Sequence, residues 1–212
     1  MNRPLLLFMT VCGLLQGQAL DVMLVLDHST GTEQATDRIR GKAFGEDMRV
    51  GIVSALAPSQ VIEPLTADKK RLDAGLRRLG ARAGVRSGGV LVTQTWTLDL
   101  AGALSKALAE LSEAGESNRP RAIVVLFAGE DRGLISAAER LRSRLRDSGA
   151  RLFAIAVMRQ DPVRETRGNQ RMDFPFPVGA TQILGDLAEM SRGRLYKQGW
   201  DIRDILKEAA KP

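Results

Sequence analysis

The sequence predicts an α/β protein with a doubly wound, mostly parallel sheet flanked by helices. Three observations lead there. Residues 20–31, LDVMLVLDHSTG, form a nearly unbroken apolar run that ends in an acid, small hydroxyl residues and a glycine. Residues 121–128 (RAIVVLFA) and 151–157 (RLFAIAV) are two more such runs. Between the runs lie segments whose apolar residues recur at helical spacing. Strands apolar on both faces are buried on both faces, as in a parallel sheet covered by helices. The carboxyl ends of such strands are where open α/β sheets bind ligands.

The chain has 212 residues, 44% hydrophobic and 26% charged, which suits one globular domain with a sizeable core. Its start differs from the rest. Arg3 precedes an apolar run over residues 5–15, and Gly17-Gln18-Ala19 supplies small residues three and one before a cut. This pattern reads as a secretory signal peptide, 1–19, followed by a domain over 20–212 and a secreted or periplasmic location. A retained anchor is the alternative, although the run falls short of the about 20 residues that span a bilayer. Val11 before Cys12 does not suit a lipoprotein signal. Cleavage removes the single cysteine, which excludes a disulfide, a thiolate nucleophile and a cysteine zinc ligand. The net charge of +6 becomes +5 with the loss of Arg3, a modest excess that suits an anionic partner or simple solubility.

After the first strand, Ala35, Ile39 and Ala43 predict a first helix, stopped by Gly45, Glu46 and Asp47. Residues 48–56 (MRVGIVSAL) and 60–65 read as the second and third strands, joined as a hairpin through Pro58 and Ser59. Thr66 then gives a cap signal. Leu72, Leu76 and Leu79 predict a helix over 67–79 that Gly80 ends. From Lys69 to Arg86 seven cations face one acid, Asp73; a solvated basic face is the plain reading, and an acidic partner is the functional one.

Residues 80–97 read as a loop. Leu98, Ala101, Leu104, Leu108 and Leu111 predict the third helix. Gly129-Glu130-Asp131 turns the chain into a fourth, carrying Leu134, Ala138, Leu141 and Leu145 and closed by Gly149. Residues 159–179, with three prolines, Phe174 and Phe176, read as a long functional loop whose Arg164, Arg167 and phenylalanines are offered to a partner. A fifth helix over 181–190, an edge strand over 193–197 and a terminal helix with Ile202, Ile205 and Ala209 complete the chain.

The segments DHSTG, VVLFAGED and GARLFAIAV, in this order and on these edges, resemble the von Willebrand factor type A domain across residues 20–210. The resemblance implies a Rossmann-like fold and a role in protein–protein binding or adhesion. It also implies the position of a metal-ion-dependent adhesion site, built from a D-x-S-x-S turn, a middle-loop threonine and an aspartate after the fourth strand. Such an oxygen-only site suits Mg2+, with a coordination position left for a partner's carboxylate. Asp27 and Ser29 match the turn, but Gly31 replaces the second serine. Thr97 best matches the threonine, one residue off the usual spacing to Leu104, with Thr95 as the fallback. Ala128 stands at the aspartate position, leaving Glu130 or Asp131 to reach back.

Enzyme readings lack parts. The single histidine, His28, neighbours Ser29 on one tight turn, a poor geometry for a base and its nucleophile. No nucleophile elbow, phosphate loop or dinucleotide fingerprint is present. Nucleic-acid binding is not expected of an exported chain with 4% aromatic residues. The expectation is therefore an exported, non-catalytic interaction module with a degenerate site and no cofactor. Its partner-binding residues are His28, Thr30, Thr95, Glu130, Arg164, Arg167, Phe174 and Phe176. The alternatives are a weak Mg2+ site using Asp27, Ser29, Thr97 and Asp131, and a hydrolase of unrecognised type.

Overall fold

The computed structural model describes residues 19–27, 32–39, 44–83, 97–115, 118–157, 163–167, 170–174 and 177–211. Its centre is β1 (Leu20–Leu26), whose residues are all buried. This strand pairs in parallel with β2 (Met48–Ser54) on one side and β4 (Arg121–Phe127) on the other. An apolar strand flanked on both sides satisfies its backbone groups inside the sheet and exposes none to lipid-like surroundings unpaired. β3 (Gln60–Thr66) returns antiparallel to β2, and β5 (Arg151–Ala156) and β8 (Arg194–Tyr196) extend the parallel set. The sheet order is β3-β2-β1-β4-β5-β8.

Alternation along the strands divides the core into two layers. Met23, Val25, Ile123 and Val125 face α3 (Leu100–Glu113), α4 (Arg132–Ser148) and α5 (Val178–Met190). Val22, Leu24, Val124 and Leu126 face α1 (Glu33–Ile39), α2 (Lys69–Ala83) and α6 (Ile202–Ala209). Helices therefore cover both faces, as the alternation of strands and helices predicts. No described helix is long and apolar enough to cross a membrane. Residues 1–18 of the expected signal segment, and Ala43, lie outside the described residues.

Several sequence expectations need correction. α2 runs through Gly80 to Ala83, because burial of Leu72, Leu76 and Leu79 outweighs the about 1 kcal/mol that an interior glycine costs. Its cap is Asp68, which accepts the Lys70 and Arg71 N–H groups at 2.8 and 3.3 Å, while Thr66 Oγ1 accepts from Asp68 N–H at 3.1 Å. The basic face of α2 is partly neutralised from β3, where buried Glu63 pairs with Arg71 (2.5 Å) and Arg78 (3.0 Å). α3 starts at Leu100, since Leu98 makes a bridge to Leu56 instead. Ala137, not Ala138, joins the buried stripe of α4. The stretch after β5 is not a plain loop. It holds a two-stranded antiparallel sheet, β6 (Val163–Arg167) with β7 (Gln170–Phe174), separate from the main one.

At the amino end of β1 sits a buried acid. Asp21, fully buried, accepts from Arg49 Nε and Nη2 at 2.8 and 2.5 Å and from Arg119 Nε at 2.8 Å. Arg119 also donates to the carbonyls of Leu20 (3.4 Å) and Asp47, tying three chain segments to one carboxylate. Burial alone raises the Asp21 pKa, but the hydrogen bonds and charges of Arg49 and Arg119 outweigh it and hold the carboxyl below its usual range. A depressed pKa gives stability that is present above the unfolded value of about 3.9 and is lost as pH falls through the folded one. Asp21→Asn should thus cost about 1.5–3 kcal/mol at pH 7. Urea unfolding should show that difference shrinking once the wild-type carboxyl is protonated in acid.

Candidate functional site at the carboxyl edge of the sheet

β1 delivers Asp27 to the carboxyl edge, beside the end of β4. The Asp27 N–H donates to Leu126 O at 2.9 Å, continuing the ladder by one residue. Its fully buried carboxylate then accepts the Ala128 N–H on Oδ2 at 2.8 Å, and its carbonyl accepts Thr32 Oγ1 at 2.6 Å. The Thr32 carbonyl in turn accepts the Thr36 N–H at 2.8 Å, opening α1. Asp27 therefore ties Thr32, just before α1, to the turn after β4. His28, Ser29, Thr30 and Gly31 lie outside the described residues, as do Thr95 and Phe176.

Glu130 and Asp131 follow within the β4–α4 turn. Asp131, buried, caps α4 by accepting the Gly133 N–H on Oδ1 at 2.7 Å. Its Oδ2 accepts the Ala101 N–H at 3.0 Å, so one carboxylate serves the starts of both α4 and α3. Glu130 reaches to α5, whose cap residue Pro177 makes no side-chain bond there. Its two oxygens accept the Gly179 and Ala180 N–H groups, each at 2.9 Å. Unpaired N–H groups and the positive end of the helix dipole are what draw a carboxylate to a helix start.

Thr97 is exposed at the same edge, and its carbonyl accepts the Ala57 N–H at 2.9 Å. Leu98 follows and lies over Gly129, where a Cβ would come within 2.3 Å of Leu98 Cδ1 and 3.8 Å of Asp27 Oδ2. Asp27, the residue after Thr97, and the β4–α4 turn are thereby neighbours. The hairpin carries Arg164, Arg167 and Phe174 on its two strands, with Arg164 opposite Asp173 and Arg167 opposite Gln170.

Asp99 is a member of this edge that motif reading passes over. Its Oδ1 accepts the Gly102 N–H at 2.8 Å and its Oδ2 the Ser59 N–H at 3.2 Å, joining the start of α3 to the β2–β3 connection. Burial pushes its pKa up, but the bonds from Ser59 and Gly102 and the charge of Lys106 bring it below the usual range. The signal was present as an acid directly before an apolar helical stripe.

Most of the described carboxylate oxygens at this edge serve the backbone. Ala128 has no side-chain oxygen, and both oxygens of Glu130 and of Asp131 already accept backbone N–H groups. One oxygen of Asp27 is taken in the same way. Among the described residues no group of three or more His, Cys, Asp or Glu side chains is placed to hold a metal ion. Asp27→Ala, which leaves the buried Ala128 N–H unpaired, should cost about 1–3 kcal/mol. Asp131→Ala and Glu130→Ala should each cost about 1–2 kcal/mol as lost caps, and Asp27→Asn less, since its amide oxygen still accepts. Denaturant unfolding of the four variants checks the ranking.

No protein-family model matches the chain, and no curated protein matches it. Solved structures do. An aerotolerance-related membrane protein from Bacteroides fragilis superimposes with a TM-score of 0.58 at 17% identity, covering 90% of this chain and 98% of that one. The SpRpn10 VWA domain gives 0.54 at 12% identity over 90% of this chain and 95% of its own. A von Willebrand factor type A protein from Catenulispora acidiphila gives 0.54 at 15% identity, over 92% of this chain and 42% of that one. With its six-stranded sheet, helices on both faces and turns at the carboxyl edge, the chain adopts the von Willebrand factor type A fold.

Proposed function

We propose that the chain is an exported, non-catalytic module that captures a protein partner through the carboxyl edge of its sheet without a metal ion. The observation that carries this reading is the engagement of the edge's carboxylates. Asp27, Asp99, Glu130 and Asp131 accept backbone N–H groups of helix starts and turns, which ties the described part of the edge together. A preformed surface binds with less ordering cost than a mobile one. Thr97 lies exposed on it, and the reading extends to His28, Thr30 and Thr95, which lie outside the described residues. The hairpin, with Arg164, Arg167 and Phe174, leaves the chain between β5 and α5 and extends this surface. Export rests on the leader-like start, and the fold shared with a Bacteroides membrane protein supports an envelope setting.

Thermal unfolding of the processed protein should be unmoved by millimolar Mg2+ or by EDTA. Stabilisation by Mg2+ that EDTA reverses and Asp27→Ala abolishes would establish the metal-dependent alternative instead. A photo-crosslinker at position 97 should capture a partner from envelope material, and one at position 69 on α2 should not. Replacing residues 163–174 with a short glycine-serine linker should weaken capture yet leave cooperative unfolding of the main sheet intact, because the hairpin forms a sheet of its own.

A further inference from the structure

The opposite end of the sheet holds a cleft of about 870 Å3 where β4 and β5 begin and α4, α5 and α6 end. Six cations line it: Arg119, Arg121, Arg146, Arg151, Arg192 and Lys211; no carboxylate does, among the described residues. Part of this charge has a structural use. Arg121 donates to the carbonyls of Gly115 (2.5 Å) and Ser148 (3.5 Å). Arg151 donates to those of Arg192 (3.0 Å), Glu208 (2.7 Å) and Lys211 (3.4 Å). These are ends of helices, where cations satisfy orphan carbonyls and the negative end of the dipole.

That use does not consume the charge. Four helix ends, those of α3, α4, α5 and α6, supply roughly half a negative charge each. Asp21 is shared between Arg119 and Arg49, and the Glu208 carboxylate, 4.0 Å from Arg151, is shared with Arg194 at 3.8 Å. Even with both carboxylates assigned wholly to the cleft, a surplus of roughly two positive charges remains. Arg146, Arg192 and Lys211 are exposed, and their side chains make no hydrogen bond or ion pair among the described residues.

A second, independent observation concerns the backbone of Arg192. The end of α5 is a Schellman turn, with Gly193 N–H donating to Ala188 O at 2.8 Å and Arg192 N–H to Glu189 O at 3.1 Å. The residue before the last donor in this turn is left-handed, and glycine is the usual occupant. Arg192 has φ 61°, and it is the one non-glycine residue with positive φ among those described. α4 ends with Gly149 at φ 64°, doing the same work without a side chain. Gly193 is fixed for another reason, since a Cβ there would lie 1.7 Å from Leu152 O. An arginine thus stands where the backbone favours glycine, aimed into a cationic cleft. Strain of this kind clusters at functional sites.

We propose that this cleft binds a terminal phosphate group, a phosphomonoester or diphosphate, carried by a lipid headgroup or a soluble molecule. A carboxylate brings one charge, so a peptide would have to bring several acids into one cleft. A terminal phosphate brings about two charges with oxygens that match guanidinium forks. The volume suits a ligand of headgroup size. The site lies at the other end of the sheet from the proposed partner surface and does not depend on it.

The test uses the purified protein, inorganic pyrophosphate by calorimetry, and vesicles of phosphatidylcholine with or without phosphatidic acid. Binding of pyrophosphate in solution assigns a soluble ligand; binding to phosphatidic acid vesicles alone assigns the lipid. Either should weaken about ten-fold or more in Arg192→Gly, with an unchanged or raised Tm because a left-handed strain is relieved. Arg146→Glu with Lys211→Glu should weaken it further, and Lys69→Glu with Lys70→Glu on α2 should not. The proposal is overturned by any of four results: neither probe binding at low ionic strength, Arg192→Gly binding as wild type, equal loss in the α2 control, or tighter binding of polyglutamate than of pyrophosphate.

Discussion

Four residues after β4, Ala128 to Asp131, hold this fold together at its carboxyl edge. Through them β1 is bonded to the end of its neighbour by Asp27, α5 is seated by Glu130, and α3 and α4 are both started by Asp131. Each bond joins a carboxylate to backbone N–H groups that the helices cannot satisfy themselves. The arrangement is one network, so the positions of three helices depend on one tight turn. Gly129, packed against Leu98, lets that turn lie close enough to work.

The two ends of the sheet carry opposite chemistry, and topology imposes it. In a doubly wound fold the helices that follow parallel strands begin at the carboxyl edge and end at the amino edge. Acids are therefore favoured at the first and cations at the second. Asp27, Asp99, Glu130 and Asp131 occupy the carboxyl edge, and Arg121 and Arg151 close helix ends at the other. Where charge matches backbone demand it is structural. The excess at the amino edge, with an arginine held left-handed, goes beyond that demand.

Much of the fold was legible because strand and helix carry different apolar periods. The run at residues 20–26, the β-branched β4 and the stripe of α2 read correctly for that reason. The hairpin after β5 did not, since five-residue strands rich in charge lack a clear alternation. At the site, Asp27 was legible as an acid ending a buried strand. The duties of Glu130 and Asp131 were not, because the N–H groups they accept lie 49 and 50, and 2 and 30, residues away. Glu63 was missed as the counter-charge to α2 because it sits on another element.

The sequence by itself determined the order and type of the elements of the main sheet and its helices, the central place of β1 and the edge where its acid emerges. Those follow from local spacing, and local spacing is written in the chain. Tertiary structure alone decided which backbone groups the carboxylates of that edge serve and where cations accumulate. Both depend on which helix ends meet which side chains, a matter of distance in space that residues far apart in sequence settle together. It also decided the left-handed conformation of Arg192, which belongs to the turn closed by the Gly193 and Arg192 N–H groups on Ala188 and Glu189 of α5.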